Sequence, residues 1–265
     1  MVFPTESVKG EEMKESFWDN VADKYDDEIF NTLTSDRSQT LGKTIRKYAT
    51  GVDLACDFGC GVGRFVPLLE SCAKRVIATD FSARSLELAK RTIDKRSNAE
   101  VSFEKHDLAK TKPNICEADL GLCINVMIMP QFKHRQTILS NVRRNLASSG
   151  RLILAVPSLE STLYSLKRLL EWHCREGDNR KSTLSALEKE ARDTTVSIID
   201  GIVEIRGEPT KHYLREELLL MFDQTKFDVL EELRIEFEWD EEYEDPPAWM
   251  AAPWPWEWLF VLQKR

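Results

Sequence analysis

Between Val52 and Val156, short apolar runs alternate with segments of helical periodicity, and this alternation restricts the chain to few folds. Runs at 52–58, 75–80, 100–106, 118–126 and 151–156 read as strands. Helices are expected between them: at 63–72, after the N-cap Ser82 with Leu86, Ala89 and Ile93 on one face, and at 132–147 with Leu139, Val142 and Leu146. The stretch from Ala118 to Val126 is almost wholly apolar, as a strand buried on both faces should be. About 105 residues of this pattern predict a Rossmann-like, doubly wound α/β fold, its sheet mostly parallel with helices on both faces. Strands at 233–239 and from Trp256 to Leu262 bring the sheet to seven.

The flanks divide the rest. Residues 1–11 read as a disordered tail. Within 12–50, Phe17, Val21, Tyr25 and Ile29 recur at helical spacing, and Leu41, Ile45 and Tyr48 mark a second helix from Arg37 to Ala49. The core is expected to comprise 51–158 and 207–265. Residues 159–206 break the alternation. Two helices, about 160–175 and 183–193, flank the polar Glu176-Gly177-Asp178-Asn179, and a hairpin follows with Asp200-Gly201 as its two-residue turn. A helix at 213–224 rejoins the core.

Composition excludes several classes. The net charge of −8 comes without a basic stripe, so nucleic acid is not an expected partner. No apolar run approaches the roughly 20 residues of a membrane span, and the first fifteen residues lack a signal peptide's apolar core. Cysteines 56, 60, 72, 116, 123 and 174 form no CxxC pair or zinc-spaced cluster with histidine. No metal site is expected, the thiols read as reduced, and the protein is expected to be cytoplasmic, as a monomer or homodimer.

Asp57-Phe58-Gly59-Cys60-Gly61-Val62-Gly63-Arg64 sits where the first strand meets its helix. A strand feeding a glycine turn brings backbone close to a nucleotide-like ligand, with bare N–H groups and a helix dipole expected to face it. A nicotinamide-binding turn needs a third glycine or alanine where this chain has Arg64, which argues against a dehydrogenase. Asp80 ends the second strand, where a carboxylate can accept both hydroxyls of a ribose. Asp107 ends the third, where it can accept an adenine amino group, and Asn125 lies near the end of the fourth. All belong to the carboxyl edge of the sheet, where open α/β sheets bind ligands.

From about Phe17 to Pro157 the chain resembles the class I S-adenosylmethionine-dependent methyltransferases, in particular their small-molecule branch. The resemblance rests on Asp57 to Gly63, Asp80, His106-Asp107 and Gly150-Arg151-Leu152-Ile153-Leu154, with Phe17-Trp18 through Tyr25-Asp26 similar to the helix that lids the cofactor. It implies S-adenosylmethionine as cofactor. It assigns the methionine part to Gly59, Gly61 and Gly63, the ribose to Asp80 and adenine to Asp107. Tyr25, Asp57, Cys60 (through its backbone), Phe81, Ser82, Leu108, Asn125 and Val126 complete the expected cofactor site.

Methyl transfer from a sulfonium needs chiefly alignment of the nucleophile. A base matters only where the acceptor must lose a proton. His212 and Tyr213 are the expected catalytic residues, because a similar position faces the acceptor in small-molecule relatives, whereas His134 and His173 are expected on helix surfaces. The acceptor is expected to be a small molecule bearing nitrogen or oxygen, an amine slightly favoured. Four of the seven tryptophans fall between 249 and 258, after a run from Glu231 to Asp245 with nine acids and one arginine. The tryptophans read as a loop packed on the sheet edge, or as an aromatic wall holding a cation. The alternatives are a protein methyltransferase gripping a basic peptide and a noncatalytic S-adenosylmethionine-binding partner subunit. An intact glycine motif counts against the latter.

Overall fold

The computed structural model describes Asp19, Ala22 and residues 30–93, 99–110, 114–205 and 207–265. The expected tail, the helix of Phe17 to Ile29, and with them Tyr25, lie outside these residues, Asp19 and Ala22 aside.

Strand β1 (Leu54–Phe58) is buried at every position, because both of its neighbours are strands and helices cover both faces. Chain order then gives α1 (Thr32–Ser35) and α2 (Thr40–Ala49) before it. After it come α3 (Val66–Glu70), β2 (Arg75–Asp80), α4 (Ala83–Ala89), β3 (Glu100–Lys105), β4 (Ala118–Ile124), α5 (Phe132–Arg144) and β5 (Leu146–Pro157). These strands pair in parallel, β3-β2-β1-β4-β5. The direction of winding reverses between β1 and β4. The chain returns through α8 (Arg215–Gln224), β9 (Phe227–Glu236) and β10 (Trp256–Lys264), and β10 inserts antiparallel between β5 and β9 to complete seven strands.

Twofold alternation splits the apolar residues between two cores. Leu152, Leu154, Trp258 and Phe260 face one side with Leu139, Val142 and Phe222 of the helices. Ile153, Leu259 and Val261 face the other with Leu41 and Ile45.

The segment after β5 holds α6 (Leu159–Arg175), α7 (Arg180–Thr194) and a separate antiparallel sheet of β6 (Thr195–Ser197), β7 (Ile202–Ile205) and β8 (Glu208–Lys211). Two expectations change here. The hairpin turn spans residues 198–201, since Ser197 pairs with Ile202. The third strand runs to Lys211, beyond the expected end of the insertion at 206. Other bounds move as well, and the strand expected at 233–239 is β9, Phe227–Glu236. The helix expected at 63–72 is only the five residues of α3. The helix carrying Leu86 and Ala89 ends before Ile93. Leu146, expected on a helix face, opens β5 because Asn145 ends α5.

Candidate active site

The carboxyl ends of β1 to β5 and the start of β10 open into one cavity of about 1190 Å³, roofed by α6, α7 and the small sheet. Of the expected residues, Gly59, Cys60, Gly61, Asp80, Phe81, Asp107, Leu108, Asn125, Val126 and His212 line it. Gly59 has φ 77°, and a Cβ there would lie 2.5 Å from Val126 Cγ2. Only glycine leaves this cradle open. Asp80 is buried, with Oδ2 accepting from Gly61 N at 2.9 Å and Oδ1 from Ser82 N at 2.9 Å. Burial raises its pKa, while the N–H groups of Ser82, Gly61 and Phe81 oppose that rise. A carboxylate has about four acceptor positions, so the three N–H groups leave one for a hydroxyl group. Asp107 accepts from Ala109 N at 2.9 Å, a tight turn that holds it at the end of β3.

The turn differs from expectation in its donors. The N–H groups of Gly59 and Cys60 both donate to Thr79 O at 2.8 Å, and that of Gly63 to Cys60 O. These N–H groups are not bare: these glycines supply clearance. The five-residue α3 adds little dipole. Gly63 leaves the cavity wall and packs on α4, where a Cβ would lie 2.9 Å from Ala89 Cβ. Arg64, in contrast, lines the cavity and donates to Phe30 O at 3.1 Å.

Three further expected residues stand behind the wall. Asp57 lies beneath the turn, 1% exposed, with Oδ2 unpartnered among the described residues. Burial and then the charge of Asp80 push its pKa up to about 7. Ser82 caps α4, accepting from Ser85 N at 3.0 Å and donating to Asp19 at 2.6 Å. Tyr213 donates its hydroxyl to Met127 O at 2.6 Å, and burial pushes the phenol up. Its hydroxyl is spent on the backbone after β4, so it does not face the cavity.

His212 faces the cavity with Nδ1 2.7 Å from Thr162 Oγ1. Burial and then Lys211 lower its pKa to about 4, so the ring is neutral at physiological pH and a weak base. His134, expected on a helix surface, also lines the cavity. His173 pairs outside with Asp178 at 2.9 Å.

Asn125 holds φ 55°, a conformation asparagine tolerates. Its Nδ2 donates to Glu257 Oε1 at 2.9 Å and approaches Thr32 Oγ1 at 3.1 Å, and Thr32 in turn donates to Glu257 Oε2 at 3.3 Å. Sequence reasoning missed Glu257 and Thr32. The available signal was Glu257 itself, a lone charge inside the apolar Trp256 to Leu262 run. It stands opposite Pro157, the last residue of β5, on the edge that ends β4. Burial pushes its pKa up to about 7, against the hydrogen bonds of Asn125 and Thr32.

The acidic run divides. Glu231 meets Lys47 and Tyr48, Glu232 meets Arg215 at 2.6 Å and Glu238 meets Arg37 at 2.8 Å, whereas Glu241 and Glu242 face the cavity. Glu242 is accessible from the cavity yet crowded by protein, and that crowding followed by Glu241 raises its pKa. The tryptophans are occupied by the protein's own arginines. Arg175 lies 3.9 Å from the Trp249 ring, Arg37 4.2 Å from Trp254 and Arg234 4.0 Å from Trp256, with Trp258 at 5.2 Å. Of these four only Trp256 lines the cavity, so they form no aromatic wall for a ligand cation.

Residues 55–150 match the model of a methyltransferase domain. A carboxy-S-adenosyl-L-methionine synthase of Campylobacter jejuni is 26% identical over 156 residues, 57% of this chain and 65% of the synthase. The match thus spans a little under two thirds of that relative. A S-adenosylmethionine-dependent methyltransferase structure from Methanosarcina mazei superposes with a TM-score of 0.60 at 17% identity, covering 83% of this chain and 96% of that one. The N-methyltransferase NodS of Bradyrhizobium japonicum, in complex with S-adenosyl-L-homocysteine, gives 0.57 at 14% identity, covering 92% and 98%. Both structural likenesses are of fold. The matched domain and the two likenesses agree on a methyltransferase-domain fold, whose glycine turn and acidic strand end share one cavity wall.

Proposed function

We propose that the protein binds S-adenosylmethionine and transfers its methyl group to a nitrogen or oxygen of a small molecule. The observation that carries this reading is the cradle of Gly59 beside the buried Asp80 on one cavity wall, continuous with a second polar cluster at Asn125. The residues fit the cofactor: Asp80 for the ribose, Asp107 for adenine, Gly59 and Gly61 for the methionine part. When bound, it supplies an activated methyl group on a sulfonium. The chain's own work is to align the acceptor, exclude water beneath α6 and α7, and keep His212 neutral so that the wall adds no competing positive charge. A roofed cavity favours a small acceptor over a basic peptide.

Calorimetry with S-adenosylhomocysteine and with NAD tests the cofactor. Binding of the first alone is expected, weakened roughly tenfold or more by Asp80→Ala. Undiminished affinity in that variant contradicts the ribose assignment. The synthase relative favours a second reading, in which the donor itself is altered. Mass spectrometry separates the two, since methyl transfer adds one methylene to the acceptor and leaves S-adenosylhomocysteine.

A further inference from the structure

Beyond Asn125 the cavity changes character. Glu257, Glu242 and Glu241 all line it, and the charge of Glu242 adds to the rise in the pKa of Glu257. Glu257 is 8% exposed. Its carboxylate accepts from Asn125 and Thr32, and among the described residues no lysine or arginine pairs with it. Other carboxylates of the same run take Lys47, Arg215 and Arg37 as partners. A buried carboxylate without a counter-ion is costly, and the cost falls when a cation arrives. The arrangement is no metal site: among the described residues no cluster of three or more metal-ligating side chains forms.

A second observation concerns the roof. Leu163, Ile198 and Ile205 are 49%, 54% and 45% exposed, and all three line the cavity, as do Ile128 and Met129. Apolar side chains left open inside a cavity mark the place of an apolar ligand group.

We infer that the acceptor is an amphiphilic amine, its ammonium seated at Glu257 and Glu242 and its apolar body beneath Leu163, Ile198 and Ile205. This rests on the methyl-transfer reading above. Glu257 takes a proton from the ammonium. The freed nitrogen lone pair forms the bond to the methyl carbon, and the carbon–sulfur pair stays on sulfur as a neutral thioether. The methylated nitrogen carries the positive charge, so the product remains matched to Glu242.

Calorimetry on the full-length protein with S-adenosylhomocysteine present tests this with three probes: octylamine, octanol and ethylamine. Octylamine is expected to bind at least tenfold more tightly than either of the others. Glu257→Gln and Glu242→Gln are each expected to weaken octylamine roughly tenfold and leave octanol and S-adenosylhomocysteine unchanged. The Glu242 variant keeps the test open should the buried Glu257 variant not fold. Equal binding of octylamine and octanol overturns the amine, and equal binding of octylamine and ethylamine overturns the apolar body. Failure to bind S-adenosylhomocysteine sinks the methyl-transfer reading instead, and octylamine titrated into the donor-free protein still decides the amine site.

Discussion

Glu257 and Gly59 show how single positions trade stability for an open site. A Glu with a folded pKa of about 7 and an ordinary unfolded value keeps its proton longer in the folded state. Its contribution is therefore full below about pH 4 and is lost as pH rises to about 7. Glu257→Gln removes this loss. Urea titrations are expected to show the variant more stable than the parent by about 1–3 kcal/mol at pH 8 and equal to it near pH 4.5. An advantage at both pH values contradicts an ionised, uncompensated Glu257. Gly59→Ala forces a positive φ on alanine and drives its methyl into Val126. It is expected to cost about 1–3 kcal/mol in the same titrations and to lower S-adenosylhomocysteine affinity roughly tenfold.

The elements on which these residues sit were legible to different degrees. Strand β2 has the bounds its sequence predicts, and Ser82 caps α4 as expected, because both signals are local. Ser82→Ala is expected to cost about 1 kcal/mol in thermal unfolding, with little change in cavity ligands. Asp80, Asp107 and Asn125 could be placed because each ends a strand whose period is plain. Asp57 and Gly63 could not be separated from Gly59 and Gly61, since the direction a turn residue faces depends on what packs beneath it. Thr32 and Glu242 reach the site through returns of the chain that no local period encodes. Tyr213 shows the same limit: its position beside the cavity was readable, its bond to Met127 O was not. Tyr213→Phe is expected to destabilise by about 1–2 kcal/mol and to leave the pH profile of methyl transfer unchanged. A shifted profile would restore a catalytic role to the phenol.

In the molecule as a whole, roof and floor meet at a narrow neck. The roof segment leaves β5 at Ser158 and returns at Tyr213, where Tyr213 N donates to Pro157 O at 2.9 Å and Leu159 N to Tyr213 O at 3.0 Å. We expect a variant in which a short turn replaces residues 166–208 to keep S-adenosylhomocysteine binding and to lose octylamine binding, both read by calorimetry. Loss of both would mean that the floor does not stand without its roof. The neck also leaves one indole at the junction. Trp249, Trp254 and Trp258 meet arginines away from the cavity, while Trp256, with Arg234 on its ring, borders it with an Nε1 unpartnered among the described residues. Indole emission depends on the polarity and hydrogen bonding around that nitrogen, so this protein carries its own optical probe of acceptor occupancy, one that Trp256→Phe should silence.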